Sequence, residues 1–138
     1  MVNLISDEYT DNLAVAVSHA LEHVEGTYGI AVMCIDEPNT IVAARRGSPL
    51  IVGVNEDKTG AYIASDTYAL PQEITDVVYL GDNQLAIVKA NSLTVWKEEK
   101  TIQTRTSTIE HKRNSSSKEG YSTYLEKEIR EQYDAVRN

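Results

Sequence analysis

The segment Ala43-Ala44-Arg45-Arg46-Gly47-Ser48-Pro49-Leu50-Ile51-Val52-Gly53 constrains the fold of this chain most. A doubly charged turn carrying Gly and Pro is clamped between two short apolar runs of β type. Gly47 tolerates φ > 0, and Pro49 fixes φ and has no amide hydrogen to donate, so a helix cannot run through the stretch. It reads as strand, tight turn, strand. Similar short apolar runs between Gly-, Pro- or Asp-bearing turns extend from residue 28 to residue 97. Residues 28–35 are nearly all apolar, which suits a strand covered on both faces. Asp36-Glu37-Pro38-Asn39 reads as a turn. Residues 40–44, 50–54 and 61–65 read as short strands. Residues 68–70 begin a helical turn that Pro71 prevents from extending. Residues 77–80 and 85–89 flank Gly81-Asp82-Asn83, which predicts a hairpin. Leu93, Val95 and Ile102 continue the sheet, and the Thr-rich stretch 101–109 reads as an edge strand or an extended segment.

Helical patterns flank this β-rich centre. Residues 1–10 show no clear periodicity. Leu13, Val17, Ala20, Leu21 and Val24 then recur at helical spacing. They predict a helix over 12–25, capped by Thr10 or Asp11 and stopped by Gly26. Residues 110–120 read as a linker around Asn114-Ser115-Ser116-Ser117. Residues 121–138 read as an exit helix, its periodic part 121–132 carrying Leu125 and Ile129 on one face. There is no internal repeat. Helix, many strands, helix is an α+β order with a mostly antiparallel sheet and flanking helices, not an alternating β-α-β one.

A length of 138 residues is one domain or part of a larger one. The formal charge of −8 argues against nucleic acid and against an anionic membrane surface as general partners. Cys34 is the one cysteine, so no internal disulfide forms. No leader pattern is visible, and no apolar run approaches the roughly 20 residues that span a bilayer. The expected compartment is the cytoplasm.

The residues that could carry chemistry mostly read as structural. Cys34 sits late in an apolar strand between Met33 and Ile35, where thiols are usually inert. His19 and His23 share a helix face, but the residues between them, Ala20-Leu21-Glu22, do not make the zinc-protease pattern. They read as exposed histidines away from the apolar face, and His111 has no visible partner. Ser48 follows Gly47 without the Gly-x-Ser-x-Gly pattern of a nucleophile elbow, so the pair reads as a tight turn. Of Arg45 and Arg46, one is expected to be solvated and one held in a salt bridge. Asp66, after Ser65 at a strand end, reads as a cap for the next turn. Glu98, Glu99, Glu126, Glu128 and Glu131 read as solvated faces.

Four ordered blocks give the chain a family resemblance. They are Gly26-Thr27-Tyr28-Gly29; Ala43 through Gly53, with Gly47, Ser48, Pro49 and Leu50 at its heart; Ala64-Ser65-Asp66 with Ala69-Leu70; and Lys127-Glu128-Ile129 with Glu131-Gln132 and residues 135–138. In order and spacing they resemble the class II glutamine amidotransferase (glutaminase) domain of the glucosamine–fructose-6-phosphate aminotransferases, in its C-terminal half. Tyr133 and Leu125 depart from it, standing where the family usually has Pro and Met. The resemblance implies part of an N-terminal-nucleophile hydrolase fold, an α/β/β/α sandwich, over residues 1–138. It implies an enzyme that hydrolyses glutamine at an N-terminal cysteine and passes ammonia to fructose-6-phosphate, without metal or organic cofactor.

In that family the nucleophile, the Asn-Gly oxyanion pair and the Arg and Asp that hold glutamine lie in the first half of the domain. The chain resembles the second half, so no catalytic residue is assigned and inactivity of the chain alone is expected. The implied partners are the missing N-terminal half and a sugar-isomerase domain, against which Lys127, Glu128, Glu131 and Gln132 would dock. The alternative is a stand-alone, non-catalytic interaction or scaffold module of the same fold, in which a homodimer is one arrangement.

Overall fold

The computed structural model describes residues 1–55 and 60–110. The expected linker and exit helix, with Lys127, Glu128, Glu131 and Gln132, lie outside the described residues. Two helices come first, α1 (Val2–Glu8) and α2 (Leu13–Glu22). The strands are β1 (Tyr28–Cys34), β2 (Glu37–Arg46), β3 (Ile51–Val54), β4 (Ala61–Ala64), β5 (Asp76–Tyr79), β6 (Gln84–Lys89), β7 (Ser92–Lys97), β8 (Lys100–Ile102) and β9 (Ser107–Thr108). A 3-10 turn, Thr67–Ala69, precedes Leu70. All strand pairs within the sheets are antiparallel, in a five-stranded sheet ordered β1-β2-β6-β7-β8 and a four-stranded sheet ordered β4-β3-β5-β9. The fold class is α+β.

Side-chain alternation along β2 builds the layers, because successive residues point to opposite faces. Val42 and Ala44 face the helices and pack with Leu13, Val17, Ala20, Leu21 and Leu85. Ala43 faces the second sheet and packs with Val52, Leu80, Ala86, Val88 and Val95. The small side chains of Ala43 and Ala86, opposite each other and both fully buried, sit at the contact between the sheets. The far face of the second sheet carries a third cluster, Ile51, Leu70, Ile74 and Val77. Gly53 makes that cluster close, since a Cβ there would stand 2.5 Å from Ile74 Cγ2. The described layers are α/β/β, with the segment through Leu70 and Ile74 laid over the last face.

Several local features differ from expectation. Residues 2–8 form a helix despite weak periodicity, with Ile5 its one buried residue. The cap of α2 is Asn12, whose side chain accepts from the Val15 amide at 3.2 Å. Glu37 Oε2 accepts from the Leu13 amide at 2.6 Å, satisfying another orphan donor of that helix end from 24 residues away. The turn after β1 is Ile35-Asp36, and Glu37, Pro38 and Asn39 already belong to β2. A register shift between Met33 and Cys34 accommodates the difference. β1 is not covered on both faces: it is an edge strand, with Met33 66% exposed and Ile35, just beyond it, 92% exposed. Gly81-Asp82-Asn83 is not a hairpin, because β5 and β6 lie in different sheets.

The β7–β8 connection is a two-residue hairpin, since Lys97 pairs with Lys100. Its central residues Glu98 and Glu99 have φ of 50° and 59°. Positive φ at both central positions is the type I′ requirement that Asn-Gly meets with little strain. The left-handed region costs an ordinary L-residue about 1–2 kcal/mol. Against this stands the exposed pair of Glu99 with His19 Nε2 at 3.1 Å, worth at most about 1 kcal/mol. The double variant Glu98→Asn/Glu99→Gly is expected to be more stable by about 1 kcal/mol in urea titration; equal or lower stability would contradict the strain.

Candidate functional site

The Ala43–Gly53 motif lies where the chain crosses between sheets. β2 ends at Arg46 in the first sheet and β3 begins at Ile51 in the second. A second crossing, residues 80–83, returns from β5 to β6. The two crossings are stitched together. Arg45 donates through Nη1 to the Leu80 carbonyl at 2.9 Å and through Nη2 to Asp82 Oδ1 at 2.7 Å. The Gly47 amide donates to the same Asp82 oxygen at 2.9 Å. The Leu80 amide donates to the Leu50 carbonyl at 3.1 Å, and the Asn83 amide to the Arg45 carbonyl at 2.9 Å. The Gly47 amide, then Arg45, hold the Asp82 carboxyl below its ordinary value.

The expectation of one solvated arginine does not hold, because Arg46 is bonded as well as Arg45. Its Nη1 donates to the Val24 carbonyl just beyond α2 at 2.8 Å, and its Nε to Asn83 Oδ1 at 2.9 Å. Its guanidinium carbon stands 5.0 Å from the Tyr28 ring centroid, within cation–π range. Both cations are thus engaged by the protein itself. Gly47 has φ of 76°, and a Cβ there would lie 2.5 Å from Thr27 Cγ2. Ser48 and Pro49 complete the turn, and Leu50 is buried.

The remaining positions are dispersed. Ser65 is exposed, and Asp66 accepts from the Tyr68 amide at 3.0 Å, capping the 3-10 turn. Cys34 is half-buried at the end of the edge strand. Its neighbours are Tyr9 and Glu37, and partial desolvation, then those acidic groups, push the Tyr9 hydroxyl up to about 12. Glu37 is committed to the Leu13 amide, so the groups beside Cys34 offer it no histidine-type base. His19 contacts Glu8 at 3.5 Å and Glu99 at 3.1 Å. His23 Nδ1 lies 3.1 Å from the His19 carbonyl oxygen. Among the described residues no group of three or more His, Cys, Asp or Glu could hold a metal. None of the described helices is long and apolar enough to cross a membrane.

Two open clefts adjoin the corner and the sheet interface. One, of about 310 Å³, lies between α2 and the first sheet, against Leu21, Tyr28, Arg46, Gln84 and Trp96. The other, of about 360 Å³, lies by Val52, Asn55, Asp76, Asn91 and Thr104. The first also carries Ser18, Glu22, Glu98 and Glu99, and the second Ser92 and Thr106, so both offer hydroxyl and carboxylate groups. Sequence reasoning misses Asp82, Tyr28 and Asn83 as partners of the arginine pair. Only the Gly-Asp-Asn turn chemistry hints at Asp82, and it points to a hairpin.

Gly47→Ala combines left-handed strain with overlap on Thr27, and is expected to cost about 2–3 kcal/mol in denaturant unfolding; a cost under about 0.5 kcal/mol would show that the corner relaxes freely. Asp82 has a depressed folded pKa, so its contribution is present above the ordinary carboxyl value and is lost as pH falls through the lower folded value. Asp82→Asn is expected to flatten the acid limb of the stability-versus-pH curve; an unchanged limb would remove Asp82 from it.

No protein-family model matches the chain. Curated relatives do. The chain is 36% identical over 137 residues to the glutamine–fructose-6-phosphate aminotransferase (isomerizing) of Clostridium acetobutylicum, covering 99% of this chain and 22% of that protein. It is 39% identical over 128 residues to the enzyme of the same name from Chlorobaculum tepidum, covering 89% and 20%. With that of Methanosarcina acetivorans it shares 33% identity over 127 residues, covering 91% and 20%. The chain thus spans about a fifth of the length of these relatives. By sequence it is similar to one stretch, about a fifth, of the glutamine–fructose-6-phosphate aminotransferases.

Proposed function

We propose that this chain is the C-terminal half of the glutaminase domain of an enzyme that transfers glutamine amide nitrogen to fructose-6-phosphate. The observation that carries the reading is the match of 99% of the chain, at 36% identity, to a fifth of an enzyme of that name. The α/β/β layering supports it, as the part of a four-layer sandwich that such a half would contribute. In this reading the chain's role is architectural. It supplies the stitched corner and the helix-covered sheet, and the rest of the domain supplies nucleophile, oxyanion donors and glutamine contacts. Glutamine and fructose-6-phosphate are ligands of the complete enzyme, which needs no metal or organic cofactor. The docking role of Lys127, Glu128, Glu131 and Gln132 against a sugar-isomerase domain rests on the family resemblance.

Amide hydrolysis requires an activated nucleophile, a base in reach and donors for the oxyanion. Cys34, the single thiol, has a tyrosine and a committed carboxylate as neighbours. The purified chain is therefore expected to release glutamate from glutamine no faster than protein-free buffer. Glutamate release that stops when Cys34 is alkylated would overturn this. Mixing the chain with the separately expressed preceding part of the Clostridium acetobutylicum enzyme tests the positive half: restored glutaminase activity is expected, and complex formation without activity would count against the assignment.

A further inference from the structure

Among the described residues the two sheets have four edge strands, and three are poor templates for another strand. β9 has two residues, β8 has three and begins with Lys100, and β4 has four. β1 is different. Its seven residues, Tyr-Gly-Ile-Ala-Val-Met-Cys, carry neither charge nor proline, the devices that normally blunt an edge. Its pairing, along Tyr28–Cys34, is with β2 on one side. Ala31 and Met33 lie on the face that the second sheet covers elsewhere, yet both are exposed. On the other face an apolar groove of about 520 Å³ runs between α1 and β1, past Val2, Ile5, Tyr9, Ile30 and Val32. A strand added here would meet apolar surface on both faces.

We propose that β1 is a dimerisation edge, at which two copies of this chain join by antiparallel pairing of Tyr28–Cys34 with itself about a two-fold axis through Ala31. The side-chain sizes favour this occupant. In that register Met33 of one copy stands opposite Gly29 of the other, and the two Ala31 side chains face each other, so large meets small on the exposed face. On the groove face Ile30 meets Val32 twice, a β-branched pairing suited to a sheet. The pattern is self-complementary, as an isologous interface requires. A slip by one residue would put Met33 against Ile30 and break both sets. The ten strands of the two first sheets then form one continuous sheet. The acids nearest β1 in sequence, Glu25 and Asp36, flank its ends, so salt strengthens the dimer by screening them. The pairing concerns the chain as it stands and does not depend on the amidotransferase reading.

The test is sedimentation equilibrium of the purified chain with amide exchange read on β1. A dimer with protected β1 amides, tighter at higher salt, is expected. Ala31→Lys and Ala31→Glu, both at an exposed position, are each expected to weaken dimerisation at least tenfold, because like charges then face across the axis. An equimolar mixture of the two variants restores a dimer. A monomeric wild-type chain at about 100 μM, a concentration well above a micromolar Kd, would overturn the proposal. So would a dimer that both variants leave intact, which would place the contact elsewhere. Protected β1 amides in a monomer would overturn it as well, by showing that the chain covers its own edge.

Discussion

The contact of Arg45 with Asp82 is the constraint on which the arrangement of the sheets depends. As an exposed ion pair it adds little to stability. Its importance is positional. The same two side chains also satisfy the Leu80 carbonyl and the Gly47 amide, so four groups from two crossings are held at one corner. Both crossings pass from one sheet to the other, and the corner thereby sets where the second sheet begins over the first. Ala43, Ala86, Val52 and Val88 can then meet between the sheets. Backbone polar groups left unpaired at such a crossing would carry a desolvation cost of about 1–3 kcal/mol each.

A stitched corner of this kind is a poor candidate for catalysis. Arg45 and Arg46 look like an anion site when read along the chain, yet their hydrogen bonds and ring contact are all made to the protein itself. Cys34 stands beside Tyr9 and the committed Glu37, while His19 meets Glu8 and Glu99 at the surface and His23 the His19 carbonyl. Similarity to an aminotransferase is compatible with the dispersal of these side chains among the described residues, since the match extends over about a fifth of that enzyme.

Much of the element order is legible in the sequence. The strands at 51–54, 61–64, 84–89 and 92–97 follow from short β-type runs punctuated by Gly, Pro and Asp, whose dihedral limits act locally. The helix at 13–22 follows from one apolar stripe. Local pattern fails where the partner is distant. Residues 2–8 show little periodicity because one side chain, Ile5, is buried, so a strong amphipathic signal is not needed. The Gly81-Asp82-Asn83 turn has hairpin chemistry, but local chemistry cannot say whether the next strand returns to the same sheet. The cap on Leu13 and the bond of Arg46 to Val24 span more than 20 positions.

The sequence by itself determined the α+β class, most strand positions, the turn at Gly47 and the family resemblance, because each rests on local backbone preference or on residue identity in order. Tertiary structure alone decided which strands share a sheet, that Asp82 rather than solvent meets Arg45, and that β1 lies at a sheet edge among the described residues. Those outcomes depend on which side chains can be buried together at once, a condition on the whole packed molecule that no window of residues contains.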